Sequence, residues 1–226
     1  MAAVTLGEAL PVEARDLYRF FRAGEEETLA LRGVSLSVSA GEILAVTGPS
    51  GSGKSTLLAC LAGLDEPAGG SVYVTGLRLS HRPESERAAL RAEHIGVLFQ
   101  TNNLLGHLSI SENIELAQRI SRSDAPAPQE ILERVGLANR AAAKPSQLSG
   151  GEAARAGLAV ALANDPAVLL ADEPTGELDG GTERRLLDLF RSHADRGCAV
   201  LVVTHSPAVV ARADRVITLN DGQVAS

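Results

Sequence analysis

The sequence predicts an α/β fold, a mostly parallel sheet covered on both faces, and three observations carry that expectation. Short β-rich runs alternate with helical stretches along most of the chain. One apolar strand, 43–47, leads through a glycine-rich loop straight into a helix. Between residues 101 and 162 the strand signals stop, which marks a helical unit inserted into the α/β core.

The elements follow in order. β-rich runs at 14–21, 34–38, 43–47 and 71–75 come first, and apolar strands are expected at 95–99, 168–171, 199–204 and 215–219. Asn220-Asp221-Gly222 is a turn signal that should reverse the chain into a final strand. In the middle stretch, Ser109-Ile110-Ser111-Glu112 is a capping box opening a helix through Ile120. Residues 121–129, with Pro126 and Pro128, read as a surface loop, and Ile131, Leu132 and Val135 suit one face of a further helix. No internal repeat is visible.

The 226 residues suffice for one sizeable domain with a buried core. No run approaches the roughly eighteen apolar residues that span a bilayer. Residues 1–12 carry Glu8 and no basic region, so they do not resemble a secretory leader, and a cytoplasmic location is expected. A net charge of −7 and 3% aromatics argue against a nucleic-acid footprint. Cys60 and Cys198 lie in apolar stretches and read as buried thiols.

Strand 43–47 runs into Gly48, Pro49, Ser50, Gly51, Ser52, Gly53, Lys54, Ser55 and Thr56, followed by a helix expected over 57–64. This is the G-x-x-x-x-G-K-[ST] pattern in the strand–loop–helix setting that it requires. The glycines let backbone N–H groups wrap phosphate oxygens, and the helix adds its positive end. Lys54 can reach β and γ phosphates, and the Ser55 hydroxyl can ligate Mg²⁺. Lysine occurs only at positions 54 and 144, so a chance match is improbable.

Strand 168–171 ends in Asp172-Glu173. Strand alternation points adjacent residues to opposite faces, so different jobs are expected: Asp172 holding Mg²⁺, directly or through water, and Glu173 orienting the attacking water. Alone, an Asp-Glu strand end is often a solvated turn; the phosphate loop shifts that balance. His205, after strand 199–204, is either a cap or surface residue or, at the carboxyl ends of a parallel sheet, a donor to the γ-phosphate.

Leu148-Ser149-Gly150-Gly151-Glu152 opens a helix through about Leu162. Ser149 and Glu152 form a capping box, which does not need two glycines. Ser149, Gly150 and Gly151 leave a bare helix N-terminus, an anion site.

Here the sequence resembles the ABC ATPases nearly end to end: the phosphate loop, Gln100, the 148–152 stretch, Asp172-Glu173 and His205 match that family's motifs in order. Glu177-Leu178-Asp179 looks like its D-loop. The resemblance implies a single ATP-binding domain over 1–226 on a P-loop NTPase core. The core with an N-terminal antiparallel β subdomain would occupy about 1–100 and 163–226, and the helical subdomain about 101–162. It implies head-to-tail dimerisation around two ATPs, with Ser149, Gly150, Gly151 and Asp179 serving the partner's nucleotide. It further implies that Gln100 links Mg²⁺ and the attacking water to the helical subdomain. The partner would be a separate membrane permease, with the ATPase peripheral on the inner face of the cell membrane.

Gly63-Leu64-Asp65, 95–100, Asn103-Leu104-Leu105 and 171–176 resemble the group containing lipoprotein-release, macrolide-export and FtsE-like ATPases. In that pattern Phe21 lies where an aromatic stacks on adenine; Tyr18 and Phe20 are rivals that alternation puts on the other face. The chain departs from the pattern at Ala153-Ala154 (usually Gln-Gln), Val160 (often arginine) and Ser206 (commonly aspartate). Asn102, Asn103, Leu104, Leu105 and Leu108 suggest a groove for a permease helix. A soluble ATPase remodelling nucleic acid or ribosomes is the rival class. Its relatives carry a long coiled coil or a second fused domain, and neither is found here.

Overall fold

Four strands form an antiparallel sheet that packs on one face of a six-stranded sheet, parallel except for its last hairpin. A computed structural model describes residues 9–23, 26–121, 125–176 and 178–225. The first eight residues, loop positions 122–124 and Glu177 of the expected D-loop lie outside the described residues. The first sheet joins β1 (Val12–Ala23), β2 (Glu26–Val38), β4 (Gly69–Val74) and β5 (Leu77–Arg78) in the order β2-β1-β4-β5. The second contains β3 (Ile43–Thr47), β6 (Ile95–Leu98), β7 (Val168–Asp172), β8 (Ala199–Val203), β9 (Arg215–Asn220) and β10 (Gln223–Val224) in the order β10-β9-β3-β8-β7-β6.

The apolar strands are continuous because both faces of the parallel sheet are covered. Leu44, Val46, Val168, Leu170, Leu201 and Val203 enter one core with the β subdomain and α1 (Lys54–Leu61). Their neighbours Ile43, Leu169, Ala171, Val200 and Val202 enter a second core. That second core is shared with α3 (Ile110–Ile120), α4 (Pro128–Arg134), α5 (Gly150–Ala161) and α6 (Gly180–Ala194). Cys60 and Cys198 are buried free thiols, pushed up to about 12 chiefly by desolvation.

Several boundaries differ from expectation. Strand is expected only at 34–38, yet β2 starts at Glu26, where pairing with β1 carries it outward past Leu29 and Leu31. The phosphate-loop helix begins at Lys54 and ends at Leu61, since Gly53 rather than Thr56 is its N-cap. The loop expected through 129 ends earlier, with Pro128 as the first residue of α4, where a missing N–H costs nothing. α2 (Glu84–His94) was not anticipated; it buries no residue fully, packs Leu90 on the core and pairs Arg87 with Glu66. A short α7 (Pro207–Val210) completes the described helices. The Asp221-Gly222 turn is as expected, with φ values of 45° and 76° suited to a two-residue hairpin between β9 and β10.

Candidate functional site

The carboxyl ends of β3, β7 and β8 open onto a cavity of about 580 Å³. Its walls include Phe21, Ser50, Gly51, Gly53, Lys54, Ser55, Thr56, Gln100, Asp172, Glu173 and His205. Gly53 caps α1 with φ 99° and no side-chain hydrogen bond, which leaves the helix N-terminus bare. A Cβ there would lie 2.3 Å from the Ala30 carbonyl, so β2 and the loop approach each other only through glycine. Gly48, Pro49 and Ser52 build the loop from behind. Lys54 Nζ donates to the Gly48 and Pro49 carbonyls at 2.8 and 2.9 Å, which draws the ammonium across the loop. Ser52 Oγ is buried without a hydrogen-bond partner.

Asp172 ends β7 in extended backbone, whereas Glu173 has φ 44°. The left-handed Glu173 departs from regular strand alternation, and both acids line this cavity. The Glu173 N–H donates to Val203 at 2.9 Å, tying it to β8. Its Oε2 accepts the His205 N–H at 3.1 Å. Its Oε1 is buried, lies 3.5 Å from His205 Nε2 and makes no hydrogen bond. Ser206, in place of the common aspartate, caps α7 and donates its hydroxyl to Glu183 of α6 at 2.6 Å.

Ser149, Gly150, Gly151 and Asp179 are not brought to this cavity. They line a second one of about 390 Å³ with Arg155, Thr182 and Arg185. Ser149 caps α5, and Glu152 accepts from the Ser149 N–H and hydroxyl at 2.9 and 3.0 Å. The Ser149 backbone N–H, then Arg140 and the Ser149 hydroxyl, hold the Glu152 carboxyl down to about 2. Asp179 caps α6 through Thr182 and Gly181, and these donors, the Thr182 hydroxyl first, lower its pKa. A Cβ on Gly151 would collide with Thr182 at 2.5 Å, but one on Gly150 would meet nothing within 4 Å.

Between these cavities lies a third, of about 350 Å³, lined by Gln100, Asn102, Asn103, Leu104, Ala153, Ala154 and Glu173 among others. Gln100 and Glu173 thus border two spaces, and the small Ala153-Ala154 pair helps to shape one of them. Leu104 packs on the helical-side core, while Leu105 is exposed. Phe21, Tyr18 and Phe20 are all partly exposed, but only Phe21 reaches the phosphate-loop cavity. Sequence reasoning passed over Arg19, whose guanidinium lies over the Phe21 ring at 4.8 Å; its spacing two residues before Phe21 was the available signal.

A glycine-rich phosphate loop facing a strand-end Asp-Glu pair across one cleft of a parallel sheet defines a phosphate-loop ATPase that binds nucleotide. Within that class the chain belongs to the ABC transporter family, whose model matches residues 31–176. It is 40% identical over 94% of its length to the macrolide export ATP-binding/permease protein MacB of Shigella flexneri, and 42% identical over 95% to that of Hyphomonas neptunium. The chain spans about a third (34%) of the length of these relatives. Among solved structures, the dimeric bacterial ABC transporter cassette MJ0796 superposes with a TM-score of 0.88 at 36% identity, covering 95% of this chain and 97% of that one. Its post-hydrolysis state bound to ADP and Pi gives 0.87 at the same identity. Among the described residues no helix is long and apolar enough to cross a membrane.

Proposed function

We propose that the chain hydrolyses ATP in composite sites shared with a second cassette, its own copy or a homologue, and that this cycle energises a membrane permease. Export, extraction and transmembrane mechanical signalling all fit such an engine. It would work as one domain, with the helical unit at about 101–162 mediating contact with the permease, on the cytoplasmic face of the membrane. The observation that carries the reading is Gly150. It has no positive φ, and a Cβ built on it would meet nothing within 4 Å, so nothing in its own chain demands glycine, although glycine weakens a helix. Open space beside the N-terminal turn of α5 suits the approach of another molecule's phosphate.

The triphosphate would lie along the loop from Gly48 to Thr56, with the α1 N-terminus behind it. Lys54 would exchange the Gly48 and Pro49 carbonyls for β- and γ-phosphate oxygens. Ser55 and Asp172 line the cavity with oxygen donors only, and the described residues hold no cluster of three or more His, Cys, Asp or Glu. That donor set fits Mg²⁺, which keeps waters and takes further oxygens from phosphates. Bound there, Mg²⁺ would neutralise charge on the phosphate oxygens. Glu173, beside His205 in the cavity wall, would accept from the attacking water through its carboxylate and orient it for in-line displacement. His205 Nε2 would donate to the γ-phosphate, Gln100 would report the state of the site to the helical unit, and Phe21 would stack on the base. Ser149, Gly150, Gly151 and the Asp179 turn would close on the γ-phosphate held by the partner.

The test is Glu173→Gln, which keeps shape but removes the anion. Turnover should fall about a hundredfold or more, while ATP binding persists and ATP-dependent dimers accumulate in light scattering. Parent-rate hydrolysis by the variant would sink the assignment.

A further inference from the structure

Gly63-Leu64-Asp65 stands out in the sequence, and the nucleotide chemistry above gives it no role. Asp65 follows the end of α1, where its N–H donates to the Ala59 carbonyl at 3.1 Å. Its two carboxylate oxygens receive Arg19 Nε and Nη2, each at 2.8 Å, in a bidentate pair. Both side chains are about three-quarters buried, at 26% and 25% exposure. The same guanidinium covers the Phe21 ring at 4.8 Å from its centre. Phe21 lines the phosphate-loop cavity and Arg19 does not. The cation thus lies over the ring without itself lining the space that a nucleotide would enter.

We propose that Arg19, clamped by Asp65, is a positioning residue for the purine base. It fixes the Phe21 ring in a stacking pose and couples that pose to the helix that carries the phosphate loop. The inference rests on Phe21 being the base platform. Three physical effects support it. A two-point arginine–carboxylate pair fixes the plane of the guanidinium, which lysine could not do. A planar cation on one face draws on the ring's negative quadrupole, so an electron-rich base meets less repulsion on the other face. An exposed ring held in advance loses less freedom when the base arrives. The surrounding backbone adds rigidity, since the Ala68 N–H donates to the Tyr18 carbonyl at 2.7 Å and Tyr18 pairs with Gly69.

The experiment compares ATP with inorganic tripolyphosphate, which carries the phosphates without a base, on the wild-type chain and on Arg19→Met, Asp65→Asn and Phe21→Ala. Arg19→Met should weaken ATP binding about fivefold, the scale of a partly exposed cation–π contact, and leave tripolyphosphate binding unchanged. In turnover assays KM should rise with kcat held, the mark of lost binding shared by ground and transition states. Asp65→Asn, nearly isosteric, should shift ATP affinity in the same direction by less, and it decides the matter if Arg19→Met does not fold. Equal losses for ATP and tripolyphosphate would make the pair a general structural brace and overturn the proposal. Wild-type ATP affinity in Arg19→Met and Asp65→Asn, with a loss in Phe21→Ala, would overturn it while leaving the platform standing. Unchanged ATP affinity in Phe21→Ala would remove the platform itself and this inference with it.

Discussion

The phosphate loop and the signature turn, the 148–152 stretch that opens α5, are both glycine-rich entries to a helix, and they are built in opposite ways. The loop is wedged among its own strands: a Cβ on Gly48 would lie 2.0 Å from the Leu219 carbonyl, and one on Gly53 would strike Ala30. The signature turn is open at Gly150. The acceptors differ as well. Lys54 is held by two neutral carbonyls, which an incoming phosphate can displace, whereas Ser149 is held by the Glu152 carboxylate. One region is a finished binding surface with a movable cation. The other is a self-capped helix end whose open side has no use within its own chain.

The sharpest way to break this comparison is to cripple each region in a different molecule. Lys54→Ala should abolish turnover by removing the charge on the β and γ phosphates. Gly150→Arg should also abolish it, by filling the open space, while the thermal melting point stays near the parent's because a Cβ there would meet nothing within 4 Å. Mixed in equal amounts, the two variants should regain measurable turnover, since one composite site per mixed dimer keeps both parts. A Gly150→Arg chain that alone hydrolyses ATP at the parent rate would show that the open side serves nothing.

Much of the phosphate-loop region was legible in the sequence because its chemistry is contiguous: the loop residues sit on one strand–turn–helix unit, and spacing alone defines them. The signature capping box was equally legible, being a four-residue pattern. What could not be read was a departure set by a single dihedral. Period-two alternation says nothing of Glu173 leaving strand geometry with φ 44° right after Asp172. Nor could local patterns reveal α2, which buries no residue fully, or the start of β2 at Glu26–Thr28, whose polar residues are strand through pairing with β1. Arg19 escaped for a related reason, as its partner Asp65 is forty-six positions away in sequence.

A smaller effect separates two adjacent leucines that the sequence grouped as one dock. Leu104 packs against the helical-side core, and Leu105 is 45% exposed. Leu104→Ala should therefore cost about 1 kcal/mol or more of stability, the usual scale for truncating a packed side chain. Leu105→Ser should leave urea unfolding unchanged and weaken capture of the permease. If Leu105→Ser retains full capture in co-purification from membranes, this loop is not the contact. That result would leave the open side of α5 as the better-supported intermolecular surface.

The smallest effect concerns the anion that holds the signature turn. The Ser149 N–H, Arg140 and the Ser149 hydroxyl stabilise ionised Glu152 and bring its pKa from 4.5 to about 2. A carboxyl whose folded pKa is depressed contributes stability above its unfolded pKa, and the contribution fades as pH falls through the folded value. The box should thus be at full strength at neutral pH, weaken below about 4.5, and be lost near 2. Glu152→Gln keeps a side chain that can still accept from the Ser149 N–H but carries no charge. The gap in urea midpoint between parent and variant should be constant near neutrality and close steadily across that acid window. A gap independent of pH would mean that shape rather than charge holds the turn. In that case Ser149 would be held by a neutral acceptor, as Lys54 is, and the contrast between the two regions would reduce to the open space at Gly150.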